Sequence, residues 1–218
     1  MQFIRSLFFN VTIYAAMALY AVYWTPFAIR SRQGAVDACH AWCRFVLWVA
    51  PWMIGLRAEV RGSPPTGEVM VAAKHQSFFD IIVIYHALPH AKFIMKRELM
   101  YAPILGQFAL RIGCVPVDRG KRGQAVKKMQ ADVKAGLADP GQLVIYPQGT
   151  RVGVDDYKPY KAGTAALYSA LGQPCVPVAT NIGHFWPKRG VTRKPGLAVV
   201  EFLEPIAPGL EQGPFMQR

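Results

Sequence analysis

Residues 69–80, VMVAAKHQSFFD, give the clearest indication of the fold. The first five of them, 69–73, form a short apolar run of the kind found in strands that are buried on both faces. A polar loop that carries His75 follows, and Asp80 opens a helical pattern. A buried strand, a short loop and a helix in this order predict the beginning of an α/β domain.

The same alternation of strand and helix patterns continues along the rest of the chain. Further short apolar runs predict strands at 92–95, 114–117, 142–146, 175–179 and 197–203. Helical patterns cover 79–88, 102–110, 123–138 and 161–171. We therefore predict an α/β fold with a mixed, mostly buried sheet that is flanked by helices.

The N-terminal side of the chain is uncharged over residues 7–29. A helix of this length would measure about 35 Å, enough to cross a bilayer. Tyr20, Tyr23 and Trp24 cluster towards one end, as interfacial aromatic residues do. A cleaved signal peptide fits poorly because no small-residue cleavage site follows, whereas a buried helix of a soluble protein stays an alternative.

A second uncharged run, 45–56, is too short to span a bilayer and predicts an interfacial or re-entrant segment. The character of the chain changes after it, and the turn-like sequence GSPP lies at 62–65. We therefore predict two units: N-terminal membrane-anchoring helices over 1–56, and an α/β domain over 57–218.

The composition is both apolar and basic. Of 218 residues, 52% are hydrophobic, and 25 basic residues against 13 acidic ones give a net charge of +12. This combination favours an anionic membrane surface or a phosphate-bearing substrate. Nucleic acid is not expected, because zinc-finger spacing, an RNA-recognition signature and a long basic run are all missing from the sequence.

The four cysteines predict neither a metal site nor a disulfide framework. Cys39 and Cys43 are four residues apart, but no second pair with ligand spacing accompanies Cys114 and Cys175. We expect reduced, mostly buried thiols in a cytoplasmic domain, and no metal.

His75 and Asp80 are candidates for acid–base chemistry. A loop of this length allows the Asp80 carboxylate to accept the imidazole Nδ1–H, which fixes the tautomer and leaves Nε2 free as a base. Taken alone, the pair is equally compatible with a surface histidine that is satisfied by a neighbouring carboxylate.

Three more strand ends carry polar groups. Asp118 and Arg119 follow the predicted strand 114–117, and a guanidinium at the carboxyl end of a strand suits a phosphate monoester. Residues 148–151, QGTR, follow the strand 142–146; their glycine allows close backbone approach, and their hydroxyl and guanidinium can contact anionic oxygens. The fourth end, 175–181, indicates no function by itself.

Taken together and in this order, these sites resemble the glycerolipid acyltransferases, specifically the 1-acylglycerol-3-phosphate acyltransferases. The matching blocks are HQSFFD (75–80), VPVDRG (115–120), YPQGTR (146–151) and VPVATN (176–181), with KREL (96–99) and YKPYKAG (157–163) between them. The resemblance covers roughly residues 57–205. The N-terminal apolar segments are also similar to the helices by which members of this family anchor on membranes.

The resemblance implies a mechanism and a set of site residues. His75 would be the general base that deprotonates the free hydroxyl of lysophosphatidate, and Asp80 would orient it. Arg119 and Arg151 would bind the phosphate, with Lys96 as a third group. Gly149 and Thr150 would shape the acceptor site.

The resemblance also implies the partners and the location. The co-substrate would be the thioester of acyl-CoA or acyl carrier protein, with no tightly bound cofactor and no covalent acyl-enzyme. The acceptor would be a lysophospholipid, and the partners would be membrane lipids rather than nucleic acid. The protein would be in the membrane with its catalytic domain on the cytoplasmic face.

One departure from the family pattern concerns the acceptor. The family has Glu before Gly-Thr-Arg, whereas this chain has Gln148, which removes a charge and adds two hydrogen-bond donors. Gln148 is therefore a further candidate substrate-binding residue, and another lyso-lipid, such as a lyso-ornithine lipid, is an alternative acceptor. A non-enzymatic scaffold that binds anionic lipid is the alternative to an enzyme.

Two further stretches are open to interpretation. The sequence HFWPKR at 184–189 mixes aromatic and cationic residues, which is typical either of a membrane-binding surface or of a solvated loop. The C-terminal residues 213–218 show no helical pattern.

Overall fold

The computed structural model describes residues 1–118, 127, 131 and 141–217. Arg119 and most of the predicted helix at 123–138 therefore lie outside the described residues. The helices are α1 (Gln2–Arg30), α2 (Arg32–Ile54), α3 (Phe79–Ala87), α4 (Leu105–Arg111), α5 (Ala162–Leu171) and α6 (Gln212–Gln217), with 3₁₀ turns at Arg97–Tyr101 and Ile182–His184. The strands are β1 (Leu56–Arg61), β2 (Val69–Ala73), β3 (Ala91–Lys96), β4 (Val115–Val117), β5 (Gln142–Ile145), β6 (Cys175–Thr180) and β7 (Gly196–Phe202).

The seven strands form one sheet in the order β1-β7-β6-β2-β5-β3-β4. The β6–β7 pair is antiparallel, and the other neighbouring pairs are parallel. Strand β2 lies at the centre, where Val71 is in register with Val144 of β5 and Val176 of β6. The prediction of a mixed α/β sheet with flanking helices is confirmed, and β2 delivers the His75 loop to the middle of the sheet edge.

The six predicted strands are present with ends that differ by at most one residue, but β1 was not predicted. Leu56 is buried, while most residues from Arg57 to Arg61 are exposed. The strand pairs in parallel with β7 at the edge of the sheet. An edge strand that faces solvent on most positions does not carry the apolar pattern by which strands are recognised.

The first two helices form an antiparallel pair joined by a tight turn at Ser31. Ser31 has extended backbone angles, and its hydroxyl accepts a hydrogen bond from Gly34 N at 3.0 Å, which caps α2. A Cβ atom on Gly34 would lie 2.4 Å from the carbonyl oxygen of Phe27, so this close approach requires glycine. The uncharged run 45–56 is therefore not a segment of its own, because it continues a helix that already begins at Arg32.

The helix pair shares one hydrophobic core with the sheet. Phe9 and Ile13 of α1 and Val46 of α2 are fully buried in the same cluster as Val71 and Val144 of the sheet. The predicted division between 1–56 and 57–218 thus falls inside continuous packing, and as a domain boundary it stays a prediction.

The opposite face of the sheet is covered by α5 and α6. Met70 and Leu143 are next to Val71 and Val144 in their strands, so their side chains point to this opposite face. They pack with Tyr168 of α5 in a second hydrophobic core. Phe215 of α6 stacks on the Tyr168 ring, with centroids 4.0 Å apart. The sequence of residues 213–218 shows no helical pattern, yet a short helix covers Gln212–Gln217, because tertiary packing of Phe215 supports a helix that the Gly213-Pro214 sequence does not favour.

Candidate active site

His75 and Asp80 form a hydrogen-bonded pair where β2 passes into α3. His75 Nδ1 lies 2.9 Å from Asp80 Oδ1. The histidine side chain is 14% exposed and the aspartate side chain is fully buried. With Nδ1 directed at the carboxylate, Nε2 is the ring nitrogen that can exchange a proton with another molecule.

The Asp80 carboxylate is held by the loop that precedes it. Its Oδ2 accepts hydrogen bonds from the backbone N–H groups of Gln76, at 2.8 Å, and Ser77, at 2.7 Å. Asp80 stands in the first turn of α3, where a negative charge also interacts favourably with the helix dipole. A fully buried carboxylate requires such donors, so this loop is built to keep Asp80 in one position.

Two further contacts fix the His75 loop itself. The backbone carbonyl of His75 accepts from Val152 N at 2.8 Å. The Gln76 Oε1 atom accepts from Gly183 N at 3.0 Å. The loop is thereby joined to the segments that follow β5 and β6, which are the neighbours of β2 in the sheet.

Tyr146 lies directly against the pair, at the end of β5. Its ring stacks on the His75 imidazole with centroids 3.9 Å apart and planes at 16°. Its hydroxyl donates to Asp80 Oδ1 at 3.4 Å. Sequence reasoning missed this residue, because an aromatic side chain at the end of a buried strand is typical of an ordinary core position.

His75 opens onto a cavity of about 430 Å³ whose lining is mostly apolar. The lining side chains come from both N-terminal helices, from α3, β3 and α4, and from the segment after β5, and they include Tyr14, Met17, Tyr20, Ala38, Trp42, Phe78, Ile82, Phe93, Met95, Leu105, Phe108 and Tyr146. The cavity was not predicted from the sequence. Helical spacing shows that Tyr14, Met17 and Ala21 share a face, but not that this face encloses a space.

Lys96 and Arg151 are the lysine and arginine among the residues that line this cavity. Lys96 Nζ forms an exposed ion pair with Glu98 Oε1 at 3.0 Å. Arg151 Nη1 donates to the Lys188 carbonyl at 3.4 Å. Two of the three predicted phosphate-binding residues therefore share a cavity with His75, and the third, Arg119, lies outside the described residues.

The remaining predicted residues do not line the cavity. Gln148 is buried, and its Nε2 donates to the Lys158 carbonyl at 3.1 Å. Gly149 has a positive φ of 67°, and a Cβ there would lie 2.7 Å from Lys161 Nζ. Gln148, Gly149 and Thr150 are not among the lining residues. Their binding roles stay predictions, and Gln148 acts in this structure on the loop that precedes α5.

The stretch 184–189 has two different surfaces. Trp186 is buried and stacks on Phe79, the residue before Asp80, with centroids 5.2 Å apart. Lys188 and Arg189 are exposed. Trp186 belongs to the core, so it cannot be part of a membrane-binding surface, and for the exposed side chains of this stretch that role stays a prediction.

The four cysteines are free thiols, and the structure describes all of them. Burial raises the pKa of Cys114 to about 11 and the pKa of Cys175 to about 12. Both thiols therefore stay protonated at neutral pH and are poor nucleophiles. Within the described ranges, no group of three or more His, Cys, Asp or Glu side chains is placed to hold a metal ion.

Comparison with known protein families now identifies the group to which this site belongs. A family model described as "Acyltransferase" matches residues 57–181, which is more than half of the chain. The chain belongs to the acyltransferase family. The matched region includes the His75–Asp80 pair, Lys96, Tyr146 and Arg151.

Individual acyltransferases of this family are similar to the chain over most of its length. A 1-acyl-sn-glycerol-3-phosphate acyltransferase of Pseudomonas aeruginosa is 31% identical over 157 residues, which are 71% of this chain and 61% of that protein. The alpha form of the mouse enzyme of the same name is 29% identical over 170 residues, or 75% and 60%. The chain thus spans about three fifths of the length of these relatives.

A solved structure has the same fold. The crystal structure of the 1-acyl-sn-glycerophosphate (LPA) acyltransferase PlsC from Thermotoga maritima superposes with a TM-score of 0.78 at 21% identity, covering 100% of this chain and 93% of that one. The match includes the N-terminal helix pair as well as the sheet.

Proposed function

We propose that this protein is a membrane-bound enzyme that transfers a fatty acyl group from an acyl thioester to the free hydroxyl of 1-acylglycerol-3-phosphate, which gives phosphatidate. One observation carries the proposal: a histidine whose Nδ1 is fixed on a buried carboxylate stands in the wall of an apolar cavity that is also lined by Lys96 and Arg151. The related proteins are named as 1-acyl-sn-glycerol-3-phosphate acyltransferases, which supports the same acceptor.

The chemistry follows from the orientation of His75. Its Nε2 takes the proton of the acceptor hydroxyl while that oxygen attacks the carbonyl carbon of the thioester. Asp80 holds the imidazole in the required tautomer and stabilises the imidazolium that forms. The C–S bond then breaks, the thiolate leaves and takes up the proton, and an ester and a free thiol are the products.

The side chains that line the cavity support the binding of a fatty acyl chain and of a lipid phosphate. Its apolar side chains suit a fatty acyl chain, because enclosing the chain removes apolar surface from water. Lys96 and Arg151 suit the phosphate, and the Arg151 fork can bind two of its oxygens at once. The phosphate and the reacting hydroxyl are attached to the same short glycerol unit. The side chains that bind the phosphate must therefore lie in the same cavity as His75.

The membrane location is supported by the surface of α1. Within the described residues, α1 is the helix long and apolar enough to cross a membrane. Only 28% of its most apolar stretch of 18 residues is buried. A core helix of a soluble protein would be mostly buried. The free thiols favour a reducing compartment, so we place the catalytic domain on the cytoplasmic face.

The decisive experiment offers two acceptors and two donors to the full-length protein in mixed micelles. Lysophosphatidate and a lyso-ornithine lipid are tested in parallel, each with labelled acyl-CoA and with acyl carrier protein thioester. We expect phosphatidate and an equal amount of free thiol to form only when lysophosphatidate is present.

Three results would change the proposal. Acylation of the lyso-ornithine lipid alone would reassign the acceptor while keeping the chemistry. Thiol release that is independent of any acceptor would indicate a hydrolase. The absence of thiol release with every pair would favour a lipid-binding scaffold.

A further inference from the structure

Tyr146 contacts both members of the His75–Asp80 pair, and the mechanism above does not use it. Its ring centroid lies 3.9 Å from that of His75, and its hydroxyl lies 3.4 Å from Asp80 Oδ1. Since His75 Nδ1 donates to that same oxygen, the three side chains form a closed triangle of contacts. His75 and Asp80 lie between β2 and the first turn of α3, whereas Tyr146 follows β5, so the triangle depends on the tertiary fold.

The ring contact restricts the one motion that the Asp80 hydrogen bond leaves open. A single bond at Nδ1 allows the imidazole plane to rock about the Nδ1–Oδ1 axis. A nearly parallel aromatic face, inclined by 16°, limits this rocking on one side. Phe93 stacks on Tyr146 at 6.1 Å and so supports the ring on which His75 rests.

The hydroxyl contact concerns the charge of Asp80. Burial and the negative charge of Asp80 raise the pKa of Tyr146 well above its ordinary value, so the hydroxyl keeps its proton and stays a donor. The distance of 3.4 Å makes this a weak hydrogen bond. By sharing Oδ1, it draws part of the carboxylate's charge away from the imidazole.

We propose that Tyr146 is a positioning residue for the His75–Asp80 pair, with its ring fixing the plane of the imidazole and its hydroxyl moderating the pull of the carboxylate on the imidazole proton. This rests on the proposed function, in which His75 is the general base. Two substitutions separate the two contributions, since Tyr146→Phe removes only the hydroxyl and Tyr146→Met removes the ring while filling the space with a flexible apolar side chain.

The experiment measures kcat and KM against pH for the full-length enzyme with lysophosphatidate and acyl-CoA. In Tyr146→Phe the carboxylate holds the imidazolium more strongly, so we expect the acidic limb of the kcat profile to move to higher pH by about half a unit, with the plateau within about threefold. In Tyr146→Met we expect kcat to fall by about tenfold with little change in KM, because one aromatic stacking contact with His75 is lost.

Tyr168→Phe is the matched control, because it also removes a buried hydroxyl from a stacked tyrosine. The Tyr168 hydroxyl donates to the Ala207 carbonyl, far from His75 in the second core. We expect this variant to lose thermal stability while its acidic limb stays in place. A shift of the limb in Tyr168→Phe as large as in Tyr146→Phe would overturn the assignment.

The remaining outcomes are also decisive. Unchanged kcat and an unchanged acidic limb of the pH profile in both folded Tyr146 variants would overturn the positioning role. If Tyr146→Met does not fold, the acidic limb of the Tyr146→Phe profile is the test of that role. His75→Ala is measured alongside. An inactive His75→Ala with unaffected Tyr146 variants rejects only the role of Tyr146, whereas an active His75→Ala rejects the proposed base itself.

Discussion

At the scale of single residues, the most demanding feature is a carboxylate with no solvent contact. Asp80 is fully buried, and each of its oxygens faces donors: two backbone N–H groups at Oδ2, and His75 with Tyr146 at Oδ1. Desolvating a charge is costly unless it is hydrogen-bonded, so the loop 74–79 must adopt one conformation when the protein folds.

Asp80→Asn tests whether this carboxylate sets the tautomer of His75. The amide oxygen can still accept from the backbone of Gln76 and Ser77, so its NH₂ group is turned towards His75 Nδ1. Nδ1 must then accept, Nε2 carries the proton, and the base is lost. We expect kcat to fall by about 10²–10⁴-fold with a nearly unchanged melting temperature. A loss of kcat that only tracks unfolding would show that Asp80 is structural.

Arg151→Ala tests phosphate binding. We expect the KM for lysophosphatidate to rise by about tenfold to a hundredfold with little change in the KM for the thioester, because a charge-assisted contact is lost. Arg151→Lys should recover only part of this, since a point charge does not reproduce the guanidinium fork. Arg189→Ala is the control, an exposed cation that does not line the cavity. Equal changes in both KM values would contradict the assignment.

What could be predicted at this scale depended on sequence distance. His75 and Asp80 are five residues apart, so a strand-loop-helix pattern was enough to predict their hydrogen bond. Tyr146 reaches the pair only because β5 lies beside β2, and this neighbourhood follows from sheet order, which local patterns do not determine. Gln148 shows the converse, because its place in a motif indicated binding while its burial under the loop at Lys158 could not be read from the sequence.

At the scale of elements, Trp186 joins three parts of the chain. Its ring stacks on Phe79 of α3 and meets Phe9 of α1 edge-on at 5.6 Å, while the Arg193 guanidinium lies 4.3 Å above it. The backbone of Arg193 is also hydrogen-bonded to α1, because its N–H donates to Ser6 Oγ at 2.9 Å. The first turns of α1 therefore pack against the same core residues as the start of α3.

Trp186→Ala should separate these elements. Deleting a buried tryptophan costs about 3–5 kcal/mol in the free energy of unfolding, so we expect the melting temperature in detergent micelles to fall by about 6–20 °C. Trp52→Ala is the matched control, because Trp52 is 76% exposed on α2 and its loss should leave the melting temperature nearly unchanged in micelles. Equal shifts for the two variants would contradict the described packing.

Elements were predicted well where burial imposed a pattern and poorly where it did not. The five buried or half-buried strands after β2 stand out because most of their positions face a core. Strand β1 is held by backbone pairing with β7, and α6 by one ring of Phe215 on Tyr168, and neither interaction leaves a periodic signal in the sequence.

At the scale of the whole molecule, apolar surface is concentrated on the helix pair. Thirteen large hydrophobic side chains of α1 and α2 are exposed: Phe3, Ile4, Leu7, Phe8, Val11, Tyr14, Leu19, Val22, Tyr23, Phe27, Ile29, Trp48 and Trp52. So many exposed large apolar side chains on two neighbouring helices are unusual for a protein in water and typical of contact with a membrane. The other faces of the same helices form part of the core and the cavity wall.

This arrangement predicts how the protein is held. We expect the full-length protein to stay in the membrane fraction through a wash in about 1 M salt, where charge attraction is screened, and to leave it only in detergent. Release by salt alone would contradict anchoring by apolar burial. Deleting residues 1–56 would uncover core side chains such as Ile82 and Val83, so the deleted protein is expected to aggregate rather than to become soluble.

In the proposed function, His75 acts as the general base. Its most direct test is the rate of lysophosphatidate-dependent thiol release by full-length His75→Ala, with a melting temperature that matches the unmodified protein. We expect kcat to fall by at least about 10²-fold, the usual contribution of a general base. A folded His75→Ala protein that releases thiol within about twofold of the normal rate would contradict it.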